Sequence, residues 1–211
     1  MFSTALTSVL TGATPSQLAR WRKDGPSGVL LEPEHGTRPR CRYSYNDVVA
    51  LRMFVRLRDV RSLQQVRKAV ETLMEHRPED HVSQHRLEAP IQEKRGIYWL
   101  DEQGAWVEMA DSPGQGVIKV VMDDILGEFV TDDGMVVPPL HTPAQGLELD
   151  PQVYSGTPTI SGTGVPYQNV GSLAEDGMSG DDIRHWYPGV PDEAIEGAAL
   201  LYRQVQARRA A

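Results

Sequence analysis

Nineteen glycines and fifteen prolines are scattered through 211 residues, so few stretches can run uninterrupted as helix or strand. Proline removes a backbone donor and glycine relaxes φ, so a chain punctuated this densely is expected to make many turns. An apolar content of 40% is still enough for packed cores. Between the breaks the apolar spacing is mostly helical. Phe2, Leu6, Val9 and Leu10 fall on one stripe that Gly12 ends, and Thr14-Pro15 then opens a second helix to Lys23 over Leu18 and Trp21. Asp24-Gly25-Pro26 stops it. Two short helices about a glycine turn have the form of a helix-turn-helix.

Val29-Leu30-Leu31 and Cys41-Arg42-Tyr43 read as two short strands flanking a loop with Pro33, Gly36 and Pro39. Arg38, Arg40 and Arg42 recur at period two, so an extended arm would carry them on one edge, a basic wing. Ser44 with Asp47, and Ser62 with Gln65, are capping boxes. They open helices over Val48, Leu51, Val55 and Leu57, and over Leu63, Val66, Val70 and Leu73. Residues 77–89 read as a linker. Ile97–Leu100 and Ala105–Met109 read as a hairpin, and Val117 to Val130 stays open between helix and strand. Asp132-Asp133-Gly134 reads as a turn and 138–146 as a second linker. The last block begins with an extended Gly/Pro arm to Pro166, which we expect to pack on a neighbouring subunit or partner. Three helices follow: Gln168–Glu175, Ser179–Trp186, and Pro191 to about Arg208.

Charge is divided along the chain. Residues 1–76 hold 12 Lys/Arg against 7 Asp/Glu, while the remainder holds 9 against 22. A pI near 5.2 speaks against a protein that coats nucleic acid with its whole surface, but a basic head can meet phosphate alone. On the second helix, Ser16 and Gln17 could read base edges, while Arg20, Arg22 and Lys23 hold phosphates. Arg38, Arg40, Arg42 and Tyr43 of the wing complete the expected DNA-binding set. In the acidic body, Trp186 and Tyr187 are candidate anchors for a protein partner.

Other chemistry finds no footing. One cysteine, Cys41, excludes an internal disulfide and a thiolate metal site and fits a reducing compartment. His76, His81 and His85 lie in linker-like sequence with no clearly placed acidic ligand, so we expect no metal. Asp123-Asp124 and Asp181-Asp182 are adjacent pairs whose side chains diverge. No nucleophile elbow or phosphate loop occurs, and we expect neither an enzyme nor a cofactor. No run reaches the length of a membrane span. MFSTALTSVLTG lacks a basic leader, and the expectation is a cytoplasmic protein with no membrane contact.

Two segments resemble known families. Thr14-Pro15-Ser16-Gln17-Leu18, Trp21, Gly25, Leu30-Leu31 and Arg42-Tyr43-Ser44 with Asp47 resemble a MerR-type winged helix, with Ser62-Leu63 and Val66 matching its fourth helix. Ala19 stands where that family carries an arginine, and His76-Arg77-Pro78 interrupts the place of its long dimerisation helix. Further on, Asp150-Pro151, Gly156 to Thr163, Val165-Pro166, Leu173-Ala174, Gly177, Ser179, Asp182-Ile183, Tyr187-Pro188, Ile195 and Ala198 resemble domain of unknown function 433, over about 148–205. Gly164 stands where that family usually has arginine. The second resemblance implies an antitoxin of the VapB type, whose cognate toxin would be a PIN-domain ribonuclease.

The expectation is therefore an α+β, mostly helical protein. Residues 1–76 would form a MerR-like winged helix-turn-helix, 90–140 a small β-containing middle domain, and 148–208 a three-helix antitoxin-type module with an extended arm. The protein would be a homodimer that binds double-stranded DNA, represses its own operon and neutralises a toxin. The alternative is a stand-alone transcription regulator sensing a small molecule through the middle domain.

Overall fold

A computed structural model describes residues 1–23, 29–38, 40–76, 79–84, 87–88, 97–100, 106–108 and 125–210. It is an α+β fold in which helix predominates and the sheets are small and antiparallel. The Asp24-Gly25-Pro26 stop, the Asp101–Gly104 turn, His85, Asp123-Asp124 and most of 117–130 lie outside the described residues.

The chain opens with a two-residue strand, β1 (Phe2–Ser3), followed by α1 (Thr4–Thr11) and α2 (Pro15–Trp21). The Ser3 hydroxyl oxygen caps α1 by accepting from Leu6 N–H. Gly12 ends the helix at φ 81°, where a side chain would also strike Val137 and Thr131. The apolar stripe foreseen for α1 understates its burial. Thr7, Ser8 and Thr11 are fully buried as well, because α1 is sandwiched between α3 (Tyr45–Val60) and the long carboxy-terminal helix. A helix covered on both sides buries its small polar residues too, and Thr11 compensates by donating to the Thr7 carbonyl at 2.7 Å.

The wing differs from its expected form. β2 (Arg42–Tyr43) pairs with β1, in the register Phe2↔Tyr43 and Ser3↔Arg42, and not with Val29–Leu31. Leu30 and Leu31 are instead buried, and both donate to the carbonyl of Trp21, which ties this stretch to the end of α2. Both expected capping boxes have capping geometry. Ser44 and Asp47 exchange bonds at the head of α3, and Ser62 and Gln65 do so ahead of α4 (Leu63–His76).

In the segment read as a linker, β3 (Leu87–Glu88) pairs with β4 (Tyr98–Leu100), which pairs in turn with β5 (Trp106–Glu108). The hairpin is thus the core of a three-stranded sheet. β6 (Phe129–Val130) and β7 (Val136–Val137) flank the turn at Asp132-Asp133-Gly134.

The carboxy-terminal arm corrects another expectation. It folds back on its own chain, with β8 (Leu147–Glu148) paired to β9 (Thr159–Ile160). At its tip Tyr154 and Ser155 take left-handed φ values of 47° and 53°. That turn presents the Ser155 carbonyl to the Met1 ammonium at 2.6 Å. Then come α5 (Tyr167–Glu175), α6 (Gly180–Trp186) and α7 (Asp192–Ala210). α7 packs on both α5 and α1, so one continuous apolar core runs from Phe2 to Val205. No helix among the described residues is long and apolar enough to cross a membrane.

Arg52 is the largest polar contributor to that core. Its side chain is fully buried on α3 and donates to the carbonyls of Leu10, Ile125, Gly127 and Pro138. The guanidinium also lies 4.9 Å from the Phe129 ring centre. Desolvation lowers its pKa to about 10, which leaves it a cation at neutral pH.

Candidate nucleic-acid interface

Helix α2 is short but tightly specified. Thr14 and Gln17 form a reciprocal cap, Pro15 sits at the first turn, and Leu18 and Trp21 are buried. The remaining positions face solvent: Ser16 and Arg20 are exposed and Ala19 is half-buried, with Lys23 exposed just beyond the helix. Gln17 departs from its expected role. Its side-chain oxygen accepts from Thr14 N–H at 2.7 Å, which leaves its amide nitrogen as the free end.

The following loop is organised by Asp47. This fully buried carboxylate accepts from Ser44 N–H, from Glu34 N–H at 3.1 Å and from His81 at 3.2 Å. The other nitrogen of His81 accepts from Ser83 N–H, which places the ring proton on the nitrogen facing Asp47. His81 is thereby a structural partner of the loop. Among the described residues no group of three or more His, Cys, Asp or Glu is placed to hold a metal ion. A turn from Pro33 to Gly36 then carries the chain out, and Arg38 and Arg40 are exposed on it.

Tyr43 cannot meet DNA directly, since it is 1% exposed. Alternation along β2 sends Tyr43 inward and leaves Arg42 half-exposed. Burial pushes the Tyr43 hydroxyl well above its usual range, so it stays neutral and accepts from the Arg22 guanidinium at 3.2 Å. Tyr43 is therefore a support that aims Arg22.

Three of the expected arginines converge. Arg22, Arg40 and Arg42 line one groove of about 610 Å³ with Thr4 and Thr37, and Arg209 of α7 reaches the same groove. Ser16, Arg20, Lys23 and Arg38 are not among its lining residues. Arg209 was not legible as a site residue. In sequence it lies just past the expected end of the last helix at about Arg208.

A second cavity lies behind α2. It measures about 180 Å³ and is lined by Gln17, Trp21, Arg58, Asp59 and the Thr131–Asp133 turn. Burial, with Asp132 beside it, pushes the Asp59 carboxyl up to about 6. The expected protein anchors differ from each other. Trp186 is 69% exposed, with its ring edge-on to His185, whereas Tyr187 is half-buried and closes α6. Arg184 beside them is held by Asp181 and Asp192.

Comparison with known proteins bears on the carboxy-terminal block and on the fold as a whole. The family model described as "Protein of unknown function (DUF433)" matches residues 147–202. No curated protein matches the chain. Among solved structures, the X-ray crystal structure of Rv2018 from Mycobacterium tuberculosis is similar, at 15% identity and a TM-score of 0.51. The likeness covers 94% of this chain and 96% of that one, so the two share an overall fold from end to end.

Proposed function

We propose that the chain is a DNA-binding antitoxin that represses its own operon and neutralises a cognate toxin, a PIN-type ribonuclease. The observation that carries the DNA half is the collection of cations around α2 and the following loop. Arg20, Lys23, Arg38 and Arg40 are exposed, and Arg22, Arg40 and Arg42 share a groove. Phosphate contacts from such a set position a protein on duplex DNA, and Ser16 is free to meet base edges. A MerR-like use of α2 in the major groove fits its exposed face. As a homodimer, two copies would read half-sites about one helical turn apart. The toxin half rests on the resemblance of 148–205 and on charge. The acidic balance lies outside the first 76 residues, and an acidic surface complements an RNA-binding cleft.

The test is co-expression with the product of the adjacent reading frame, followed by pull-down and by DNA binding to the upstream region. Co-purification with growth rescue and upstream binding supports the proposal. Upstream binding with no toxin activity next door favours the second reading, a regulator responding to a small molecule. That reading draws on the cavity behind α2, where the middle-segment turn Thr131–Asp133 meets Gln17 and Trp21. A ligand there would press on the DNA-facing helix itself.

A further inference from the structure

We propose that Arg209, delivered by the last turn of α7, is a DNA-backbone contact, and that the groove it shares with Arg22, Arg40 and Arg42 is a phosphate clamp built from both ends of the chain. The inference rests on the DNA-binding reading above and extends it to the carboxy-terminal block.

Four guanidinium groups line this groove, and no carboxylate among the described residues does. None of the four forms an ion pair with a described residue. Some arginines elsewhere are paired, Arg56 with Asp59, Arg184 with Asp181 and Asp192, and Arg203 with Glu175. Like charges gathered with no described carboxylate among them repel one another, and an anion in the groove relieves that repulsion. A single carboxylate balances one of the four. Successive backbone phosphates supply several negative charges in a row and accept from guanidinium forks.

The other lining groups agree in sign. The groove opens at the amino end of α1, where Ser3, Thr4 and Ala5 line it. Backbone N–H groups and the positive end of the helix dipole add to the field there. The Ser3 hydroxyl oxygen already accepts from Leu6 N–H, which frees its proton for a ligand. Two of the four arginines are also positioned. Arg22 is held by the buried Tyr43 hydroxyl, and Arg209 donates to Gln206 one turn earlier at 3.3 Å. The site is not an accident of a loose tail. Leu201 and Val205 of α7 are buried and α7 packs directly on α1, so the core fixes Arg209 against the amino-terminal strand pair.

The experiment measures binding of the full chain to a mixed-sequence duplex of about two helical turns, between about 50 and 200 mM salt. The variants are Arg209→Ala, Arg209→Lys, Arg40→Ala and Arg203→Ala. Arg209 is exposed, so its replacement leaves the melting curve in place. The expected result is that Arg209→Ala weakens binding to all sequences alike and lowers the salt slope by about one, as Arg40→Ala does. Arg209→Lys keeps the slope, and Arg203→Ala on the same helix changes nothing. If Arg40→Ala lowers the slope and Arg209→Ala does not, the clamp is wrong while the DNA reading stands. If the wild-type chain shows no salt-dependent binding to any duplex, the DNA reading fails and takes the clamp with it.

Discussion

Where α5 crosses α7, a side chain at Gly171 would collide with the Ala198 carbonyl, and one at Gly197 would fall on the carbonyl oxygen of Gln145. Gly146 stands equally close to Ala194. In the amino-terminal half, apart from the close approach at Gly12, the joints rest on polar side chains. Arg52 bridges α1, α3 and the segment 125–138 through four carbonyls, and buried Asp47 gathers a cap, a loop and His81. One region is specified by the absence of side chains and the other by polar side chains that reach far along the chain. The first kind of joint tolerates no added atom, and the second tolerates no missing donor.

The largest effect should come from adding bulk. Gly197→Val forces α7 away from residue 145 against backbone atoms that cannot rotate aside. Overpacking usually costs 1–3 kcal/mol, and with a rigid carbonyl as the obstacle we expect about 4 kcal/mol or more. Urea denaturation of the variant should show a collapsed midpoint. An unchanged midpoint would mean that α7 does not lie against that loop, and the contrast between the two regions would go with it.

Next is removal of a donor. Arg52→Met keeps most of the volume but leaves four carbonyls, those of Leu10 and Ile125 on buried residues, without their shared partner. An unsatisfied buried group costs 1–3 kcal/mol. Relief of the buried charge returns part of the sum, so about 3 kcal/mol is expected in the same denaturation experiment. A neutral or stabilised variant would show that the guanidinium is dispensable and that apolar packing alone joins α1 to α3.

These joints also mark how far the sequence could be read. The N-cap at Thr14 and the capping boxes at Ser44 and Ser62 announced α2, α3 and α4, because a cap is local chemistry written within four residues. The hairpin at 97–109 and the turn at 132–134 were visible in the same way. What escaped was non-local. Two-residue strands carry no periodicity, so nothing in Phe2–Ser3 foretold its pairing with Arg42–Tyr43. Nor did Arg52 differ in spacing from its neighbours Arg56 and Arg58. Of the candidate site, the amino-terminal arginines were legible from local charge. Arg209 was not, because its place depends on how α7 returns to α1.

A smaller effect separates the regions by pH. The Asp59 carboxyl titrates near 6 when folded against an ordinary value of 3.8, chiefly through burial. Between these values the folded chain keeps a proton that the unfolded chain gives up. Stability therefore falls as pH rises from about 4 to 6 and is lowest for this group above 6. Asp59→Asn should remove that loss, making the variant more stable than wild type at pH 7 but not at pH 4. Equal stability differences at both pH values would show that Asp59 ionises normally and that the cavity behind α2 is wetter than its lining implies.

The smallest effect on stability, and the sharpest division of roles, is expected within α6. Ile183 is fully buried and holds the helix to the core, while Trp186, three residues on, is 69% exposed. Large-to-small changes at a buried isoleucine cost about 2–5 kcal/mol, whereas exposed positions usually stay within about 0.5 kcal/mol. Trp186→Ala should therefore melt with wild type, and Ile183→Ala should melt well below it. At 69% exposure, the large aromatic side chain of Trp186 adds little to the fold. At an interface, buried aromatics of this kind carry much of the binding energy. Capture of the adjacent gene's product is the measurement that decides. A loss of about tenfold or more in affinity, at unchanged stability, places the anchor at Trp186. Full capture by a stably folded Trp186→Ala chain moves the partner surface off α6.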